Sequence, residues 1–243
     1  MPLPAADAPP VAALHAPAAS PVTVDAYAAI ASQYVYRGVA LRDRPTPSLS
    51  LTTVLPHGVF VDVWSGLVDS EAGYDYAAGK DARSNGHEWD VDMSIGYGAS
   101  LGEDWQWSLA AARIVDVGDG DRLSHDYDEW RANLFFRDLA RAQFGYSPDY
   151  KQQNWSSWNL ELAGTRSLTD AMSGEWGIGR SHGAGRPGND YAYGWLGITG
   201  VLLRTQWDAR WTYAQHGGQY VVDRHAAGGR VAVTLSWSVH ALR

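Results

Sequence analysis

The chain has 243 residues, a formal net charge of −8 and no cysteine. The acidic balance and the lack of a basic stripe exclude a nucleic-acid partner, and the missing cysteines exclude disulfides, a thiol nucleophile and thiolate metal sites. Twelve Trp and 13 Tyr against 4 Phe favour boundaries between oily and wet phases, because both side chains carry an apolar body and a polar tip.

Residues 1–21 lack a basic region and a true apolar core, so they do not read as a signal peptide. They read as a flexible Ala/Pro-rich lead, followed by one domain over 22–243. No stretch approaches the roughly 20 apolar residues of a membrane-crossing helix.

From residue 22 onward, period-two alternation dominates, which marks strands with two different faces. In HEWDVDMSIGYG, Trp89, Val91, Met93, Ile95 and Tyr97 alternate with Glu88, Asp90, Asp92, Ser94 and Gly96. LRTQWDARWTY sets Trp207, Ala209, Trp211 and Tyr213 against Arg204, Gln206, Asp208 and Arg210. GRVAVTLSWSV repeats the pattern. About twelve strands follow, at 22–36, 46–55, 58–67, 87–98, 104–114, 127–137, 139–147, 155–166, 171–181, 190–199, 202–213 and 229–240.

Most are about 9–12 residues, the length of a tilted membrane-crossing strand and longer than the 5–6 typical of soluble sheets. Short and long connections alternate strictly. That predicts an all-β, up-and-down antiparallel transmembrane barrel of about twelve strands, with short turns on one side of an outer membrane and long loops on the other.

The aromatics sort into two bands under this reading. Tyr34, Tyr36, Trp89, Trp130, Tyr146, Trp158, Tyr193, Trp211 and Tyr213 fall at the external strand ends. Tyr97, Trp105 and Trp237 fall at the opposite ends. Outer-membrane lipids are the partner implied.

SQYVYRGVALRDRPTPSLSL (32–51) followed by GVFVDVWSG (58–66) resembles the opening of the Gcw_chp family of proteobacterial proteins of unknown function. Its pattern falls here on Tyr34, Arg37, Gly38, Gly58, Phe60 and Trp64. GYSPDY (145–150) is similar to the family's mid-chain segment. The resemblance covers roughly 22–150 and implies an exported outer-membrane barrel, with no catalytic residue to carry over. Outer-membrane barrels commonly end on an aromatic residue that the insertion machinery reads. This sequence ends SWSVHALR, which points to weaker insertion or an altered C-terminus.

The polar strand faces carry Asp25, Asp62, Glu88, Asp90, Asp92, Arg131, Arg141, Glu161, Glu175, Arg204, Asp208 and Arg210 as candidate lumen-lining residues. Such charges either line a water channel or pair across strands and fill it. As a channel lining, Glu88, Asp90 and Asp92 would select cations or basic solutes. No metal-ligand or cofactor motif is present. Asp116, Asp119, Asp121 and Asp126 lack EF-hand spacing and read as a solvated acidic loop. Ser124-His125-Asp126 and Ser181-His182 are the obvious adjacencies for a hydrolase or acyltransferase, and sequence neighbours rarely converge in a relay.

The reading is a small-solute channel or a structural envelope protein, and not an enzyme. Two alternatives stand beside it: an outer-membrane lipid-modifying enzyme, and a soluble β-rich ligand-binding protein.

Overall fold

The computed structural model describes residues 22–69, 74–75, 80–81, 87–118, 126–152, 154–184, 190–215 and 228–241. Twelve strands form the barrel. They are β1 (Thr23–Ala31), β2 (Thr46–Val54), β3 (Val59–Asp69), β4 (His87–Leu101), β5 (Trp105–Gly118) and β6 (Tyr127–Phe136), then β7 (Ala140–Ser147), β8 (Ser157–Thr169), β9 (Met172–Gly183), β10 (Tyr191–Leu202), β11 (Thr205–Ala214) and β12 (Gly228–Ala241).

Each strand pairs antiparallel with its sequence neighbours. Pairing of β1 with β12, from Val24↔Ala241 to Ala31↔Thr234, closes the ring. Closure pairs both edges of every strand in the barrel wall.

The connections alternate as the sequence predicts. One end carries the short links 55–58, 102–104, 137–139, 170–171 and 203–204. The other carries 32–45, 70–86, 119–126, 148–156, 184–190 and 215–227. At the short-turn end, His57 (φ 67°) and Gly58 (φ 86°) make the predicted Pro-His-Gly turn. Two neighbouring turns are tied there, with Arg137 Nε donating to Asp104 Oδ1 at 2.8 Å. That guanidinium holds the Asp104 carboxyl below its usual range.

Alternation decides which side chains face in. Along β6, Tyr127, Glu129, Arg131, Asn133 and Phe135 are buried, while Asp128, Trp130 and Leu134 are exposed. The outer face is apolar, with Leu49, Met93, Ile95, Leu109, Phe144, Leu160, Ile178, Leu196 and Val231 all exposed. Among the described residues, the charged side chains on that face stand toward strand ends: Arg113 with Asp128, Arg166, and Arg180.

Aromatic rings also settle onto glycines directly across the ladder. Phe60 faces Gly96, Trp176 faces Gly164, Trp195 faces Gly177 and Tyr193 faces Gly179. A Cβ on any of these glycines would lie within 2.5 Å of the facing ring.

The first predicted strand departs most from the structure. It ends at Ala31 rather than at 36, because the chain leaves the wall and turns into the barrel.

Candidate functional site: a constricted lumen

After β1, the backbone N–H of Ser32 donates to the Val233 carbonyl at 2.7 Å, and Gln33 Nε2 donates to the Val231 carbonyl at 2.5 Å. Tyr34–Tyr36 then pairs with Val39–Arg42 as a small hairpin. Arg37 (φ 48°) and Gly38 (φ 78°) make its tip, both in the left-handed region.

The hairpin lies inside the lumen. Val39 packs on Tyr191, Tyr193 and Ala214 of β10 and β11, with Leu41 alongside. A Cβ on Gly38 would stand 2.5 Å from Tyr193 Cβ and 3.2 Å from Ala214 Cβ. Tyr34 stacks on Trp64 of β3, with ring centroids 5.1 Å apart and planes at 24°. Arg37 reaches the wall at β6, where its Nη2 donates to Glu129 Oε1 at 3.0 Å and Oε2 at 2.9 Å.

Three aromatics expected in the outer band are therefore elsewhere. Tyr34 is buried on the hairpin, and the Tyr36 ring lies under the Arg37 guanidinium, 4.7 Å from centroid to Cζ. Tyr193 points inward, where its hydroxyl donates to Glu161 Oε2 at 3.0 Å and accepts from Asn159 Nδ2 at 3.1 Å. Alternation assigns faces only relative to a wall, and residues 34–36 have left it. Tyr193 shares its parity with buried Tyr191 and Thr199, while Leu196 and Ile198 face out.

The other members of the band stand on the outer face. Trp130↔Tyr146, Tyr146↔Trp158 and Trp158↔His182 are successive cross-strand partners there. Trp89, Trp211 and Tyr213 are exposed toward the long-loop end, and Tyr97, Trp105 and Trp237 toward the other. Trp107 adds to that second group, 5.7 Å from Tyr97. The same parity rule would have found it.

Interior charges form three groups. Arg131 links Asp92 (2.5 Å) to Glu129 (2.8 Å), and Glu129 continues to Arg37. The Arg37 and Glu129 side chains keep only 7% and 1% of their exposure. Arg141 pairs with Glu161 at 2.6 Å. Arg210 pairs with Glu175 at 3.0 Å and approaches Asp208 at 3.5 Å, its Cζ 4.0 Å over the Trp195 ring.

Asp25 and Asp90 lie on the inward faces of β1 and β4, and Asp62 accepts from the Thr52 hydroxyl. The Glu88 side chain lies outside the described residues. Arg204 was expected on the lumen face but sits in the two-residue turn after Leu202, exposed at the short-turn end. The predicted stripe of three carboxylates is also not a free one, since Asp92 is bound by Arg131.

Large side chains fill one side of the barrel. Val54, Phe60, Ala110 and Phe135 form an apolar cluster, and Asn133 donates to Ser108 at 3.1 Å. Gly145 lies against the Arg37–Glu129 pair, so the segments 32–51 and 145–150 meet here. Farther out, Tyr150 caps Tyr127 at 4.7 Å. The opposite side is walled by Ala29, Ala31, Ser48, Ser50, Thr212, Ala232, Thr234 and Ser236, and these small side chains leave a cavity of about 200 Å³ beside the hairpin.

The enzyme alternative finds no site at Ser181-His182. Strand neighbours point to opposite faces, so Ser181 faces in, while His182 lies outside on Trp158 with its Nδ1 2.6 Å from Asp190. Ser124, His125, Asp119 and Asp121 lie outside the described residues.

No family model matches the sequence, and no curated protein matches it. Among solved structures, the chain is similar to an outer membrane channel from Pseudomonas putida F1, with TM-score 0.51 and 10% identity over 96% of this chain and 99% of that one. It is also similar to KdgM porin, with TM-score 0.51 and 7% identity over 90% of this chain and 99% of that one. The fold is that of the outer-membrane channel barrels. Its interior narrows around the hairpin of residues 34–42.

Proposed function

We propose that this protein is a narrow outer-membrane channel for small hydrophilic solutes, with the short turns on the periplasmic side. The observation that carries the reading is the cavity, with Asp62, Asp208, Arg210 and several Ser and Thr in its wall, left beside an inward hairpin inside a closed barrel with an apolar outer face. A barrel with a purely structural role gains nothing from a wall of Ala, Ser and Thr, since close packing stabilises interiors and voids do not. The hairpin sets the bore, and the Gcw_chp-like residues Tyr34, Arg37 and Gly38 build it.

The test is single-channel conductance after refolding into planar bilayers. Wild-type protein is expected to give small, steady currents. A variant with residues 33–42 replaced by a short Gly/Ser linker is expected to give larger ones. Protein that gives the heat-modifiable gel shift of a folded barrel but passes no ions in either form would overturn the channel in favour of a structural envelope protein.

A further inference from the structure

The cavity wall draws Tyr27, Ser50, Trp64, Thr52 and Asp62 from two cross-strand rows on β1, β2 and β3. Tyr27, Ser50 and Trp64 are successive cross-strand partners, and the next row toward the short turns is Asp25, Thr52 and Asp62. Strands stand about 4.8 Å apart, so Tyr27 and Trp64 bracket the small Ser50 from positions about 10 Å apart. Tyr34 stacks on Trp64 and closes the bracket from the hairpin. The result is an aromatic slot over an acidic floor.

We infer that this part of the cavity binds small organic cations, ammonium groups above all, and that Asp62 is the residue that selects them. The inference rests on the channel reading for its role in permeation, and on the cavity alone for its existence as a site.

Charge is the first argument. Asp62 lines the cavity, and its hydrogen-bond partner is the uncharged Thr52 hydroxyl. Of the basic side chains that line it, Arg37 is held by Glu129, and Arg210 by Glu175 with Asp208 beside it. Asp62, Glu161 and Asp208 line the cavity against Arg37 and Arg210, so its wall carries one carboxylate more than its guanidiniums. An anion entering here meets that excess in a low-dielectric wall.

Aromatic faces are the second argument. A cation within about 6 Å of a Tyr or Trp ring centroid is attracted by the ring quadrupole, and more strongly where water is excluded. Unused hydrogen-bonding groups are the third. Ser236 Oγ and Thr212 Oγ1 line the same cavity, are buried to 1% and 4% exposure, and have no partner. Buried polar atoms of this kind call for a bound polar group or water. A metal ion fits less well: among the described residues, no three acidic or histidine side chains gather as ligands would.

The experiment uses full-length refolded protein and tetramethylammonium chloride, with sodium chloride as the ionic-strength control. In detergent, saturation-transfer NMR of the methyl protons is expected to show saturable binding. Asp62→Asn is expected to raise the half-saturating concentration about tenfold, the size of one desolvated cation contact. Trp64→Phe is the second variant and is expected to weaken binding less.

In bilayers under a potassium chloride gradient, the reversal potential is expected to favour potassium over chloride and to move toward zero in Asp62→Asn. Tetramethylammonium is expected to slow the wild-type current. A wild-type channel that conducts but shows neither saturable binding nor cation preference overturns the inference and leaves the channel reading intact. Equal binding by wild type and both folded variants also overturns it. Saturable, Asp62-dependent binding without conductance upholds the site and removes the channel.

Discussion

Arg37 combines an uncommon backbone with an uncommon side-chain partner. Its φ of 48° is a conformation that residues with a side chain adopt reluctantly, and its guanidinium ends on Glu129 deep in the lumen. Breaking a buried ion pair from one side leaves a charge stranded, at a cost of 3–5 kcal/mol. Arg131 still holds Glu129, so Arg37→Ala is expected to destabilise the barrel by about 3 kcal/mol, at the low end of that range, in urea unfolding from lipid vesicles. Removing both charges in Arg37→Leu with Glu129→Leu is expected to cost less than the single change, and a larger cost would show that the pair itself stabilises the fold. The sequence marks Arg37-Gly38 as a motif but cannot say where it points. Its partners Glu129, Gly145, Tyr193 and Ala214 lie about 90 to 180 positions away, and only closure of the ring brings them together.

Strands were the legible level, because a wall with oil on one side and a polar interior on the other imposes period two on nearly every residue. Strand ends were less legible. The Tyr34–Tyr36 alternation continues that of β1, so periodicity alone cannot detect that the chain has left the wall. Arg204 was misplaced by a two-residue turn for the same reason. Glycine positions carried unused information, since each of several strand glycines faces a ring on the next strand. Gly179 is the informative one: a Cβ there would meet the Tyr193 hydroxyl end at 2.2–2.4 Å, and Tyr193 in turn supports the hairpin. Gly179→Leu is expected to push Tyr193 off Glu161 and Asn159, loosen the hairpin and raise conductance. Gly174→Ala has room, with its nearest contact at 3.5 Å, and is expected to leave conductance unchanged. Equal currents from Gly179→Leu and wild type would separate the hairpin from Tyr193.

At the scale of the whole barrel, the two faces demand opposite things of the same amino acid. Leu196 stands at the middle of β10, exposed on the apolar outside, while Thr199 is buried on the inside three residues on. Arginine at the midplane of a lipid-facing surface costs about 2–4 kcal/mol. Leu196→Arg is expected to lose that much in urea titrations of the vesicle-inserted protein, with conductance unaltered. Arg180 tolerates the same face because it lies three residues from the end of β9, where a long side chain can reach the headgroups. Ser48→Arg, on the small-residue wall, is expected to do the reverse. It meets water and carboxylates rather than lipid, so stability changes little while the cavity fills and the current falls. If both variants lowered stability alike, the outer face would not be facing lipid. A soluble barrel would then be the reading to pursue, and the protein would stay monodisperse in plain buffer.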